Sequence, residues 1–187
     1  MRDVATTGVK LFAICAVAAL TLGGINALTE PVIIQRKIME LQQALDELTP
    51  DSRTGEAVEV EESSEIAKRY PVIKDGEGAG MILELQGSGY GGGEMKILAR
   101  YEEDGTVRAV KLMDNTETPG LGKKAENPAY MEKFIGTGSA EEPVPVRKDM
   151  LAPAEADAVT GATITFLGVA NALAEGAEYV RAESGGQ

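Results

Sequence analysis

The stretch "GMILELQGSGYGGGEMKILARYEEDGTVRAVKLMDN", residues 80–115, decides the fold. Three runs rich in β-branched and other apolar residues, at 80–87, 95–101 and 107–113, are separated by turn-forming residues. This is the signature of successive strands. Asp104-Gly105 between the second and third runs marks a hairpin, because both positions of a tight two-residue turn favour residues that tolerate positive φ. The glycines at 87, 89, 91, 92 and 93 make a flexible turn between the first two. They resemble a phosphate loop in composition only. No Gly-Lys-Ser/Thr follows, so a nucleoside-triphosphate site is not expected there.

Outward from these strands the pattern changes period. On the C-terminal side, Phe166, Ala170, Leu173, Ala177 and Val180 recur at spacings of four and three, which gives a helix starting near Thr163 one apolar face. A short helical patch is expected over 129–135, a Pro-rich connection after it, and a polar tail over 183–187. On the N-terminal side, residues 56–65 carry five glutamates and read as a solvated edge or loop, with no calcium-loop spacing. Ile38, Leu41, Leu45 and Leu48 predict an amphipathic helix that ends at Pro50-Asp51. Before it, Leu11 to Thr29 is uncharged and would span roughly 28 Å as a helix, close to the thickness of a bilayer core. Pro31 is read as the membrane exit. The expected organisation is a cytoplasmic tip and transmembrane helix over 1–30, a connector helix over 31–50, and one domain over 51–187.

The apolar stretch is longer than the core of a secretory signal, and Ile25-Asn26-Ala27 is a poor cleavage site, which favours an uncleaved anchor. Cys15 lies mid-span and reads as a packing or lipid-facing thiol. Arg2 and Lys10 before the span predict a cytoplasmic N-terminus and an extracytoplasmic body. The 187 residues carry a formal net charge of −12. From Glu30 onward, sixteen basic residues stand against twenty-nine acidic ones. Such a body repels nucleic acid. One Cys and no His exclude an iron–sulfur cluster, a Cys-rich zinc site, His-ligated haem and a Ser-His-Asp triad. No metal site and no catalytic residue set is expected. Redox chemistry in this chain would need an organic cofactor.

Two short motifs point to one. In "DAVTGATITFLG", residues 157–168, small residues separate two threonines at a helix start. Unpaired N–H groups and the positive end of the helix dipole favour a phosphate there. Gly161 and Ala162 admit close approach, Thr163 offers a hydroxyl, and Asp157 could orient groups or take a proton. The competing reading is helix capping by Thr160 or Thr163. In "NTETPGLGKKAENPAYMEKF", Thr118-Pro119-Gly120 makes a tight turn that presents Leu121.

Asp157-Ala158-Val159-Thr160-Gly161-Ala162-Thr163 resembles the signature of proteins that carry FMN esterified through its phosphate to threonine. The resemblance places the acceptor at Thr163. The Glu-Thr-Pro-Gly-Leu-Gly segment resembles that of the G subunit of the Rnf electron-transport complex, and is shared with the C subunit of the sodium-pumping NADH:quinone reductase. It implies that Glu117, Thr118, Leu121 and Gly122 lie by the flavin. The order of segments matches over nearly the whole chain, and its compact spacing is closer to the Rnf protein. Asn115-Thr116 stands where many relatives have His, so no role of that His carries over.

The resemblance implies an α+β extracytoplasmic FMN-binding domain, with a twisted antiparallel sheet and flanking helices, on a single-pass anchor in the inner (cytoplasmic) membrane. It implies an electron-carrier subunit of a ferredoxin:NAD oxidoreductase that drives Na⁺ or H⁺ movement and completes no reaction alone. Its partners would be the other membrane and iron–sulfur subunits, membrane lipid, and a flavin transferase that installs covalent FMN from FAD. The alternatives are the related quinone reductase component, a stand-alone flavin carrier, or a membrane-anchored structural adaptor without cofactor.

Overall fold

A computed structural model describes residues 2–60 and 65–185, and the side chains of Arg2, Asp3 and Ala5 are outside the description. Part of the glutamate-rich stretch (61–64) and the end of the polar tail (186–187) lie outside the described residues. The chain divides into two units, up to Gln42 and from Gln43 onward.

The first unit is a single helical segment. Helix α1 runs over Arg2–Leu48 and is long and apolar enough to cross a membrane. Its large apolar side chains, among them Leu11, Phe12, Leu20, Leu22 and Leu28, are exposed. The hydroxyls of Thr21 and Thr29 donate back to Val17 O (2.8 Å) and Ile25 O (2.9 Å). That is how polar side chains are satisfied in a helix without water. Pro31 lies inside this helix. It removes one i→i−4 bond and the helix continues beyond it.

The second unit is an antiparallel sheet with helices. In chain order its strands are β1 (Arg53–Thr54), β2 (Val58–Glu59), β3 (Ile66–Lys74), β4 (Glu77–Ser88), β5 (Glu94–Tyr101) and β6 (Val107–Asn115). They form the order β1-β3-β4-β5-β6, with β2 also pairing with β3. The three strands expected from the sequence are β4, β5 and β6, each within a few residues of its anticipated bounds. Asp104-Gly105 turns β5 into β6, with Asp104 Oδ1 accepting the Thr106 N–H at 2.8 Å and Gly105 at φ +86°. A second such turn, Asp75-Gly76 at φ +53° and +90°, joins β3 to β4.

Alternation along the strands makes two buried faces. One face, with Leu83, Leu85, Ile97, Ala99 and Tyr101, packs on α4 (Thr163–Gly185) through Phe166, Val169, Ala170, Leu173, Ala177 and Val180. Phe166 stacks on Phe134 with ring centroids 5.8 Å apart. Ile82 and Leu98 alternate onto the other face, as does Arg100, which donates to Leu48 O at 3.0 Å. The last turn of α1 is therefore bound to that face, with Ala44, Leu45 and Leu48 buried. Two short helices, α2 (Pro128–Met131) and α3 (Pro153–Ala158), complete the domain. The helical patch expected over 129–135 is α2 followed by a 3-10 turn at Glu132–Phe134.

Helix α4 touches the sheet backbone directly. A Cβ at Gly168 would stand 2.9 Å from the Ser88 carbonyl carbon and nearer still to its oxygen. Gly168→Ala is expected to cost about 1–3 kcal/mol through overpacking, read as a lowered urea midpoint of the detergent-solubilised chain.

Lys133 supplies a pH dependence. Its ammonium lies 3.4 Å from the Tyr130 ring centroid and donates to Tyr130 O. Burial lowers its pKa from 10.5 to about 8, against the opposing charge of Glu155. Between these two values the unfolded chain binds the extra proton, so stability rises with pH across the window. Lys133→Met is expected to flatten that rise, measured by urea unfolding at the two ends of the window.

Candidate functional site

The site is built where three turns meet. The first is the glycine turn after β4, a 3-10 turn at Tyr90–Gly92 closed by Gly89 N–H to Gly93 O at 2.6 Å. The second follows β6. Leu121 N–H donates to Thr118 O at 3.2 Å, and Gly120 sits at φ +80°, which is the type II geometry that Pro119 and Gly120 favour. Buried Asn115 clamps this turn at both ends. Its Oδ1 accepts the Glu117 N–H at 2.8 Å and its Nδ2 donates to Gly122 O at 3.3 Å.

The third turn joins α3 to α4. Thr160 N–H donates to Asp157 O, Ala162 N–H to Val159 O, and Gly161 takes φ +85° between them. Phe166 N–H donates to Ala162 O, so α4 begins with Ala162 at its cap and Thr163 as its first residue. Neither threonine caps the helix. Thr160 Oγ1 donates to Ala156 O at 3.1 Å and accepts from Lys148 Nζ at 2.7 Å. Thr163 is exposed, and alanine at the cap has no oxygen to offer the first-turn N–H groups.

Glu117 ties the three turns together. It is only 6% exposed. Its Oε1 accepts the Tyr90 N–H at 2.5 Å and its Oε2 accepts the Thr165 hydroxyl at 2.9 Å. The fit depends on two missing side chains. A Cβ at Gly122 would lie 2.6 Å from both Glu117 Cβ and Thr165 Oγ1, and one at Gly89 would lie 2.9 Å from Glu117 Cδ.

Between the turns is a cavity of about 390 Å³, within the range of roughly 300–1,000 Å³ common for small-molecule sites. Glu117, Thr118, Leu121, Gly122, Gly161, Ala162 and Thr163, all singled out from the sequence, line it. Asp157 and Thr160 do not. Asp157 is exposed in the last turn of α3, and Thr160 is held against Ala156 and Lys148. The wall also includes Tyr90, Ile164 and Thr165. Sequence reading did not single out these three or Lys148, since each is placed by contacts across the fold. A larger cleft of about 670 Å³, at Asp51, Lys74, Arg100 and Arg108, is open, polar and filled with surface ion pairs. It lacks the convergence of apolar and anion-binding groups found at the smaller one. Among the described residues no acidic, Cys or His cluster could hold a metal.

The smaller cavity suits a ligand with a flat apolar part and an anionic part. Tyr90, Leu121 and Ile164 are large side chains lining it, yet they are 73%, 47% and 48% exposed. A planar ring would cover them. The α4 N-terminus favours an anion at Thr163. Lys148, whose neighbours Arg147 and Asp149 pair with each other at 3.1 Å, brings a cation to Thr160 without a carboxylate partner among the described residues.

The FMN-binding domain family matches residues 89–178, which contain every residue of this cavity wall. The chain belongs to the family of G subunits of the ion-translocating, Rnf-type oxidoreductase complexes. It is 30% identical to the G subunit of the Na(+)-translocating ferredoxin:NAD(+) oxidoreductase complex of Acetobacterium woodii, over 89% of this chain and 86% of that protein. It is also 30% identical to the G subunit of the ion-translocating oxidoreductase complex of Cereibacter sphaeroides, over 91% and 81%. With the protein of that name from Methanosarcina acetivorans it shares 28% identity over 98% of each chain. Among solved structures, the crystal structure of Shewanella oneidensis NqrC has the same fold. The TM-score is 0.50 at 22% identity, over 64% of this chain and 61% of that one.

Proposed function

We propose that this chain is the electron-carrier subunit of a membrane-bound, ion-translocating ferredoxin:NAD oxidoreductase of the Rnf type, working through FMN joined to Thr163 by a phosphoester. The observation that carries the reading is the position of Thr163: an uncapped helix start, an exposed hydroxyl and the wall of a cavity with exposed apolar sides. When bound, FMN supplies electron-transfer chemistry that the side chains lack. Thr163 Oγ1 would fix the phosphate, and the first-turn N–H groups of α4 would offset its charge. Leu121 and Ile164, on the cavity wall, would cover apolar ring surface. Glu117 holds the three turns in place.

Attachment would use FAD and a flavin transferase. Thr163 Oγ1 would form the new bond to the flavin-side phosphorus as the pyrophosphate bond breaks, AMP would leave, and a base would take the hydroxyl proton. Asp157, exposed at the end of α3, is available to orient the transferase or receive that proton. α1 anchors the protein in the cytoplasmic membrane beside the membrane and iron–sulfur subunits, with the N-terminus inside and the domain outside. Tethering suits a carrier there, where a lost flavin could not readily be replaced.

The test is redox cycling in native membranes. Reduced ferredoxin should bleach the flavin absorbance of this protein, and NAD should restore it. A flavin on this chain that stays oxidised while the complex turns over would refute the carrier role.

A further inference from the structure

The motifs that led to the flavin site leave Tyr90 without a role. It adds nothing to the core, since it is 73% exposed, yet its position is fixed from the main chain by the 2.5 Å bond to Glu117. Gly91 and Gly92, at φ +69° and +81°, follow it directly. A pinned backbone, adjoining glycines and a free aromatic ring at a cavity rim describe a cover, not a packing residue.

We infer that Tyr90 is a cofactor-contacting residue whose ring lies over the isoalloxazine of the Thr163-linked flavin and shields it from solvent. The inference rests on the flavin reading above. Offset stacking of two aromatic faces, and the apolar surface both would bury, favour the arrangement. Tyr90 is the single aromatic residue on the cavity wall among the described residues. The chain has no Trp. Tyr70 and Tyr101 are buried in the sheet and Tyr130 in α2. Tyr179 lies sixteen residues along α4 from Thr163, about 24 Å at the helical rise.

This uniqueness gives the contact its own signal. A phenol in contact with a photoexcited flavin donates an electron and regains it on recombination, with no net chemistry and with loss of fluorescence. The other wall residues, Thr, Leu, Ile, Ala, Gly and Glu, are not oxidised in this way.

The experiment uses the full-length flavinylated chain in detergent, after intact mass has established the adduct. Wild type should be weakly fluorescent, with short lifetimes and poor quenching by iodide. Tyr90→Phe keeps the cover but removes the donor. It should raise the fluorescence severalfold and leave iodide access unchanged. Tyr90→Ala removes both, so fluorescence and iodide access should each rise severalfold. If the adduct is present and Tyr90→Phe leaves the lifetime unchanged, or Tyr90→Ala leaves the flavin equally shielded, the inference is overturned while the flavin reading stands. If wild type made with the transferase carries no flavin, both fall together.

Discussion

Replacing Thr163 by Ala is expected to give a folded, membrane-bound chain that carries no covalent flavin at all. The fold should hardly respond. Thr163 is exposed, begins a helix and does not cap it, so alanine fits and the stability change should stay within about 0.5 kcal/mol. The loss of flavin should be complete, because neither neighbouring hydroxyl can replace the missing one. Thr165 is 1% exposed and committed to Glu117. Thr160 lies off the cavity wall, between Ala156 and Lys148. Thr163→Ser retains an oxygen at the helix start and should retain the adduct. The measurement is in-gel flavin fluorescence with intact mass after co-expression with a flavin transferase. An undiminished band from the Ala variant would move the attachment elsewhere.

Glu117→Ala should damage the site from within. The change leaves the Tyr90 N–H and the Thr165 hydroxyl without their acceptor. Buried groups left unpaired in this way cost about 1–3 kcal/mol each. Because those groups belong to the glycine turn and to the first turn of α4, the cavity should lose definition as well as stability. Flavin incorporation should fall along with the unfolding midpoint. Glu117→Gln separates hydrogen bonding from charge. Its amide oxygen can accept from Tyr90, and its amino group can donate to the Thr165 oxygen, so most of the stability and the flavin should be kept. An Ala variant as stable as wild type would show that Glu117 is not the tie between the three turns. Gly122→Ala, which drives a methyl group against Glu117 and Thr165, should mimic the Ala variant without removing any polar group.

Local chemistry is what the sequence made legible. Alternation and Asp104-Gly105 revealed β4 to β6, and the spacing from Phe166 to Val180 revealed the buried face of α4. Strand β3 escaped because Pro71 interrupts it next to a register shift, and its turn into β4 at Asp75-Gly76 was not singled out. Helix α3 is six residues of Pro, Ala, Glu and Asp, too short and polar for a period. The cavity was legible where its residues are contiguous, at 117–122 and 161–163. What could not be read were pairings set by the tertiary fold. Glu117 meets a backbone amide 27 positions earlier and a hydroxyl 48 positions later. Lys148 reaches Thr160 across the turn that carries Asp157. Gly161 is where the chain swings, so Thr160 and Thr163, three apart in sequence, end in different surroundings.

The most direct test is mass spectrometry of the peptide spanning position 163, recovered from native membranes in which the complex is active. The account predicts that nearly every copy bears one FMN, linked through phosphate to the Thr163 oxygen. An unmodified Thr163 in membranes that still pass electrons between ferredoxin and NAD would contradict it.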